Sequence, residues 1–273
     1  MVGLAIVTFI RSMHGTEQHI EPADYVKASG ELIFIALGLS WAITAVARPD
    51  AIEDNPLKQL FGYNNPCVAW DVPPAIYPAA SLYTLAIYCS IRYAVTDTRR
   101  AALKADLEPW KYYLSLVANW SYVLSMCAAS CLFVVTPTTD VIAHTAVFIQ
   151  LMLFRMFMII ANFVEAGSSR VLPTEWCYLA VYCLTTTCSC AFATVTLAAG
   201  HQVIPTGLMM TADYMWFATL PLTTICFPEQ SGRLSIQSQL ISVPHPPTRL
   251  DLLCCRRCLP TGALEDIKVS PMN

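Results

Sequence analysis

Four strongly polar residues stand inside long apolar runs: His144, Arg155 and Asn162 in one, and Asp213 in another. The stretch LMLFRMFMIIANF, Leu151–Phe163, surrounds Arg155 with eleven apolar residues and one asparagine. At about 100° per residue, His144 (eleven positions earlier) and Asn162 (seven later) each fall about 20° from Arg155 on a helical wheel. The three side chains share one face, and such a face turns towards a bundle interior or an aqueous cavity because lipid offers it nothing. Asp213, in TADYMWF, is the one acidic residue well inside any of the apolar runs. Counted inward, Arg155 sits roughly fourteen residues from the outer end of its run and Asp213 about ten from the end of its own. The difference in depth is about 6 Å at 1.5 Å per residue, within reach of an arginine side chain. An unpaired charge at such depth costs several kcal/mol, so the spacing predicts an Arg155–Asp213 ion pair. That pair could fix helix register, or serve as a substrate or ion site.

Other chemistry is weakly represented. The sequence contains no HExxH, no GxSxG, no phosphate-binding loop and no paired metal motif, so neither a metal nor a cofactor is expected. Nucleic-acid signatures are absent as well. His144 lies near the end of its run and reads more readily as an interfacial histidine than as a catalytic one. The twelve cysteines do not form a disulfide framework, because eight fall in apolar runs, where cysteine packs as a small apolar residue. Cys67 stands outside those runs, and a Cys67–Cys131 bridge is geometrically conceivable. Cys254, Cys255 and Cys258 form CCRRC, where an adjacent basic pair favours S-palmitoylation and the missing fourth ligand disfavours zinc. The sequon Asn119–Ser121 lies in an apolar run, out of a glycosyltransferase's reach.

The elements that position these residues follow from composition. The chain has 273 residues, of which 13% are charged, about half the share usual in soluble domains. The deficit is concentrated in blocks long enough to cross a bilayer: Ala75–Val95, Tyr112–Thr136, Val141–Val164, Trp176–Ala199 and Val203–Phe227. A sixth, Leu32–Ala47, is only about 24 Å long as a helix and needs local thinning to span. The predicted fold is therefore all-α, a polytopic transmembrane bundle of six spans. Residues 1–30 form an N-terminal segment with a short apolar anchor, 31–227 the membrane domain with an outer loop at 49–74, and 228–273 a largely disordered tail. With both termini cytoplasmic, thirteen Lys and Arg lie inside, Arg48 and Lys58 outside, and Arg155 in the membrane. That asymmetry satisfies the positive-inside rule and requires an even number of spans. Trp110, Tyr112, Tyr113, Trp176 and Tyr178 then fall at the inner interface, where amphipathic rings belong.

The outer loop, Pro49–Pro74, is acidic, rich in proline and aromatic, which suggests an ordered cap. Thr185–Cys190 supplies small side chains for close helix approach, and Pro221 should kink the last span. The order of features resembles the six-span family of damage-regulated autophagy modulators and their relatives in GPI-anchor processing. Asn119 opens the third span, His144 opens the fourth, the acidic–aromatic pair Asp213–Tyr214 sits in the sixth, and a substantial outer loop precedes the second. The cysteine-crowded fifth span departs from that pattern, and the outer loop carries no family signature. The resemblance implies a non-enzymatic protein of plasma or endolysosomal membranes, acting in lipid handling or autophagy. The residues themselves favour a regulatory or scaffold membrane protein, with membrane lipids, and proteins at the loop or tail, as candidate partners. A transporter or channel using Arg155–Asp213 is the alternative, followed by a lipid-modifying enzyme at His144.

If CCRRC is acylated, replacing Cys254, Cys255 and Cys258 with serine abolishes hydroxylamine-sensitive lipid labelling. Undiminished labelling would place the acyl chain elsewhere.

Overall fold

Proline opens the helices of this chain. A proline occupies the first turn of five of them, where its missing N–H costs nothing and its fixed φ is already helical. The computed structural model describes residues 7, 10, 21–104, 106–167 and 171–228, and among these it contains helices and no strand. In order they are α1 (Pro22–Ala47), α2 (Pro49–Glu53), α3 (Pro56–Phe61), a 3-10 turn (Val68–Asp71), α4 (Ile76–Leu103), α5 (Pro109–Ala128), α6 (Val141–Ala166), α7 (Pro173–Ala199) and α8 (Thr206–Cys226). A 3-10 turn, Ala129–Phe133, prolongs α5. Asp140 starts α6 by accepting from the amides of Ile142 and Ala143, at 3.0 and 2.9 Å.

Four of these helices are long and apolar enough to cross a membrane: α1, α5 with its 3-10 extension, α6 and α7. The first span therefore differs from expectation. Instead of a short run from Leu32, α1 starts at Pro22 and has 26 residues, about 39 Å, more than a hydrocarbon core of about 30 Å. Its first turns were hidden because they carry Asp24, Lys27 and Glu31, which break the apolar run without breaking the helix. Helices α4 and α8 are also long, at 28 and 21 residues. They are more polar: α4 carries Arg92, Asp97, Arg99 and Arg100, and α8 carries Asp213 with several threonines around Pro221.

The bundle packs α1 against α4 and α8, α5 against α6, and α7 against both α6 and α8. Buried alanines on α1 (Ala28, Ala36) and α4 (Ala79, Ala86) let those two helices approach closely. Tyr25, Tyr83, Tyr93, Tyr122 and Tyr182 fill the interior from four helices. Trp110, Tyr113 and Trp176 are exposed, as interfacial rings would be, whereas Tyr178 turns inward and is buried. All nine cysteines among the described residues are free, so the conceivable Cys67–Cys131 bridge is not formed. The N-terminal anchor, apart from residues 7 and 10, and the whole 228–273 tail past Pro228, CCRRC included, lie outside the described residues.

The outer loop is an ordered cap. Trp70 is fully buried, 6.0 Å from Tyr83 and 5.4 Å from Phe133 by ring centroids, and those two rings are 5.5 Å apart. Thr44 Oγ1 donates to the Ala69 carbonyl at 2.7 Å and Trp41 Nε1 to that of Pro66 at 2.7 Å, tying the loop to the end of α1. Trp70→Ala removes the aromatic anchor and should cost about 3–5 kcal/mol, read as a lowered unfolding temperature in detergent. Buried Cys67 should then label with maleimide; unchanged stability and labelling would mean the loop is held without Trp70.

Candidate functional site

Helix α6 carries its polar residues on one buried face: His144, Arg155 and Asn162 are all interior. They do not form one site. At 1.5 Å per residue they occupy three depths, about 16 Å and 10 Å apart, and each meets different neighbours.

The outer layer lies beneath the loop. Asn55 caps α3 by accepting from the Lys58 amide at 2.8 Å, and α3 ends at Gly62 with φ of 79°. A side chain at Gly62 would collide with Gln202 in the turn between α7 and α8, so glycine lets the chain pass there. The next residues reach Asp213. Tyr63 donates its hydroxyl to the Asp213 carboxylate, Asn65 Nδ2 donates to Oδ2 at 2.6 Å, and Tyr214 donates to the Asn64 carbonyl at 3.0 Å. Asn65 is itself oriented, because its Oδ1 accepts from the Cys67 amide at 2.9 Å. A cavity of about 40 Å³ adjoins this latch, lined by Tyr63, Asn65, Cys67, His144, Ser189 and Asp213 together with apolar side chains. That is room for a few water molecules, and the polar lining suits them.

A second cavity, about 250 Å³, opens at the outer rim between Arg48, Asp54, Asn55, Asp71, Thr136 and Thr138. His144 lines the first cavity and Asp71 the second, and His144 Nε2 lies 3.6 Å from Asp71 Oδ2. This pair forms the wall between them. The Val135 carbonyl accepts from His144 Nδ1 at 2.8 Å, which places that nitrogen's proton and leaves Nε2 facing the carboxylate. Burial pushes the Asp71 carboxyl well above the ordinary aspartate range. Burial, reinforced by the Asp71 and Asp213 carboxylates, pushes up the Cys67 thiol, which is therefore held protonated rather than as a nucleophilic thiolate. The Tyr63 hydroxyl is pushed up by burial and then by Asp213, so it stays a donor. No group of three or more His, Cys, Asp or Glu among the described residues is arranged to hold a metal.

The middle layer corrects the expected ion pair. Arg155 is 2% exposed, and its guanidinium bonds Thr223 Oγ1 at 3.3 Å, not Asp213. Two features separate the residues. Helix α8 begins at Thr206 rather than Val203, so Asp213 is only seven residues in (213 − 206), against fourteen for Arg155 in α6 (155 − 141). The depth gap is then about 10 Å. The loop also dips to Asp213 and takes its carboxylate first. The expected four-residue polar site is thus divided: Asp213 and His144 border the outer cavity, Arg155 stands alone in the middle, and Asn162 lies further in.

The inner layer was not foreseen. Asn162 Oδ1 accepts from the Tyr93 hydroxyl at 2.7 Å. One turn further on, Arg100 lies between two carboxylates, with Nε at 2.8 Å from Asp97 Oδ1 and Nη2 at 2.5 Å from Glu165 Oε1. Asn119 donates to Asp97 Oδ2 at 2.7 Å and Ser115 to Glu165 Oε2 at 3.1 Å. All five are buried, which also buries the Asn119 sequon. The available signal was the i, i+3 pair Asp97–Arg100 on a helix running past its apolar block.

Because folding raises the Asp71 pKa, the native state keeps a proton that the unfolded chain releases above 3.8. Stability from this group is present below that value and falls as pH rises through the interval up to the native pKa. Asp71→Asn should flatten this fall, measured as unfolding temperature at acid and neutral pH. A parent that is more stable at neutral pH than in acid, with no change in Asp71→Asn, would contradict the assignment. Compared with known proteins, the chain matches no family model, no curated protein and no solved structure.

Proposed function

We propose that this chain is a six-span, non-enzymatic membrane protein with cytoplasmic termini, in which the outer loop is a latched cap serving a regulatory or scaffold role. The observation that carries the reading is the use made of Asp213. An acidic residue inside a span marks a functional pathway by default, but this one is spent on Tyr63 and Asn65 of the loop. The intramembrane charge thereby holds an external recognition surface in one position. Counting α4 and α8 as the remaining spans gives lengths of about 42 and 32 Å, both sufficient to cross. The thirteen-to-two distribution of basic residues supports the orientation. The family resemblance carried by Asn119, His144 and Asp213–Tyr214 points to the same non-enzymatic class, in plasma or endolysosomal membranes. The alternative, transport through an Arg155–Asp213 site, has lost its geometric basis because those residues lie at different depths.

Asp213→Ala should release the cap. Losing hydrogen bonds to a charged group, each worth about 1.5–3 kcal/mol, should raise maleimide labelling of Cys67 from outside intact cells about tenfold or more. The tail cysteines should label only after permeabilisation. Loop and tail labelling from the same side would refute the topology. A solute flux in vesicles that the parent supports and Asp213→Ala abolishes would refute the regulatory reading in favour of transport.

A further inference from the structure

The cavity of about 250 Å³ at the outer rim has an acidic lining. Three carboxylates, Asp50, Asp54 and Asp71, border it against one guanidinium, that of Arg48. Arg48 is committed to its neighbour, since Nε and Nη2 both donate to the Asp50 carboxylate, Nη2 at 2.9 Å. Asp54 is exposed and accepts from Gln59 Nε2 at 2.9 Å.

Asp71 differs from both. It is 7% exposed, yet neither carboxylate oxygen has a hydrogen-bond partner among the described residues. His144 Nε2 stands 3.6 Å from Oδ2, beyond hydrogen-bond distance, and the other ring nitrogen is bound to the Val135 carbonyl. The carboxyl sits on the Val68–Asp71 turn, which the buried Trp70 ring holds in place. A buried carboxyl with free oxygens, set in the wall of a cavity that opens outward, points to a ligand.

The rest of the lining sets the character of that ligand. Val68, Val72 and Pro137 give it an apolar wall, and Thr136 and Thr138 add hydroxyls joined at 2.8 Å. A cavity of about 150 Å³ holds benzene, so this one accommodates roughly ten non-hydrogen atoms. A bare metal ion would leave most of that space empty, and no metal-holding group is present among the described residues. An anion would meet the excess of carboxylates.

We infer that this cavity binds a small organic ammonium ion, with its N–H donors on the Asp71 carboxylate and its apolar body against Val68, Val72 and Pro137. In the free protein burial favours the protonated carboxyl; the bound ammonium replaces that proton, which passes to solvent. Asp54 adds a second, more exposed negative charge. The inference goes beyond the role proposed for the cap: it needs the fold of the loop, but neither a regulatory role nor the orientation of the termini.

The test is a calorimetric titration of the purified full chain in detergent with phenethylamine, protonated at neutral pH, at constant ionic strength and with empty micelles subtracted. 2-Phenylethanol is the neutral control of the same shape. The parent should give saturable heat and an amine-dependent rise in unfolding temperature. The alcohol should bind about tenfold or more weakly, the worth of one hydrogen bond to a charge. Asp71→Asn keeps the shape, removes the charge and should weaken the amine to a similar degree. Should that variant fail to fold, Asp54→Asn changes an exposed group and should weaken the amine about threefold. A parent without saturable binding overturns the inference and leaves the cavity to water. Equal affinity for the alcohol overturns it in favour of an uncharged ligand. Parental affinity in every folded aspartate variant also overturns it, by placing the amine elsewhere.

Discussion

Hydrocarbon gives a charge no partner, and this bundle is organised around finding partners inside itself. Helix α6 presents a polar side chain at three depths, and the rest of the fold gathers different neighbours about each. At the outer end the surrounding loop folds inward and brings Asp71 to His144. At the inner end α4 extends beyond its apolar stretch to bring Asp97 and Arg100 against Glu165. In the middle, tyrosines from α4, α5 and α7 gather about Arg155. Apolar packing accounts for the compactness of the bundle, but the polar contacts fix which helix faces which. A register slip of one residue would turn a charge towards lipid, at a cost of several kcal/mol.

The direction of side chains was legible in the sequence, and their partners were not. The α6 stripe followed from periodicity, since a helix has one phase and three residues suffice to define it. Helix starts were legible where proline opened them. The Arg155–Asp213 pair failed because it depended on the relative depth of two separate helices. An error of three residues at the start of α8 moves Asp213 by about 4.5 Å. It failed also because hydropathy leaves the loop above the membrane domain, whereas Tyr63 and Asn65 reach into it. The inner network was missed for a related reason. Asp97, Arg100 and Glu165 flank the apolar blocks, and hydropathy assigns flanking charges to solvent.

The three layers differ in charge as well as in depth. The inner layer holds two carboxylates against one guanidinium, with hydrogen bonds from Asn119 and Ser115 spreading the excess. Each carboxylate there has a direct cationic contact and a neutral donor, so the cluster is held together as a buried salt bridge. The outer layer also has two carboxylates, Asp71 and Asp213, but they are separated by the cavity and served by different elements. One is held by the loop's own tyrosine and asparagine, while the other leans on a histidine whose second nitrogen is fixed by the Val135 carbonyl.

Set against these, the middle layer stands out by chemistry rather than by sequence. Its groups are neutral hydroxyls, and its single formal charge is positive. The carboxylates above and below make their contacts at other depths, Asp213 with the loop and Asp97 and Glu165 with Arg100. Arginine remains charged at any accessible pH, so the site cannot neutralise itself by losing a proton, as a buried lysine could. A fold that placed Arg155 there without compensation would carry a penalty comparable to much of its net stability. What the fold supplies there is a shell of tyrosines from α4, α5 and α7, the Thr223 hydroxyl at 3.3 Å, and room beside Gly30, where a Cβ would lie 2.9 Å from Nη2.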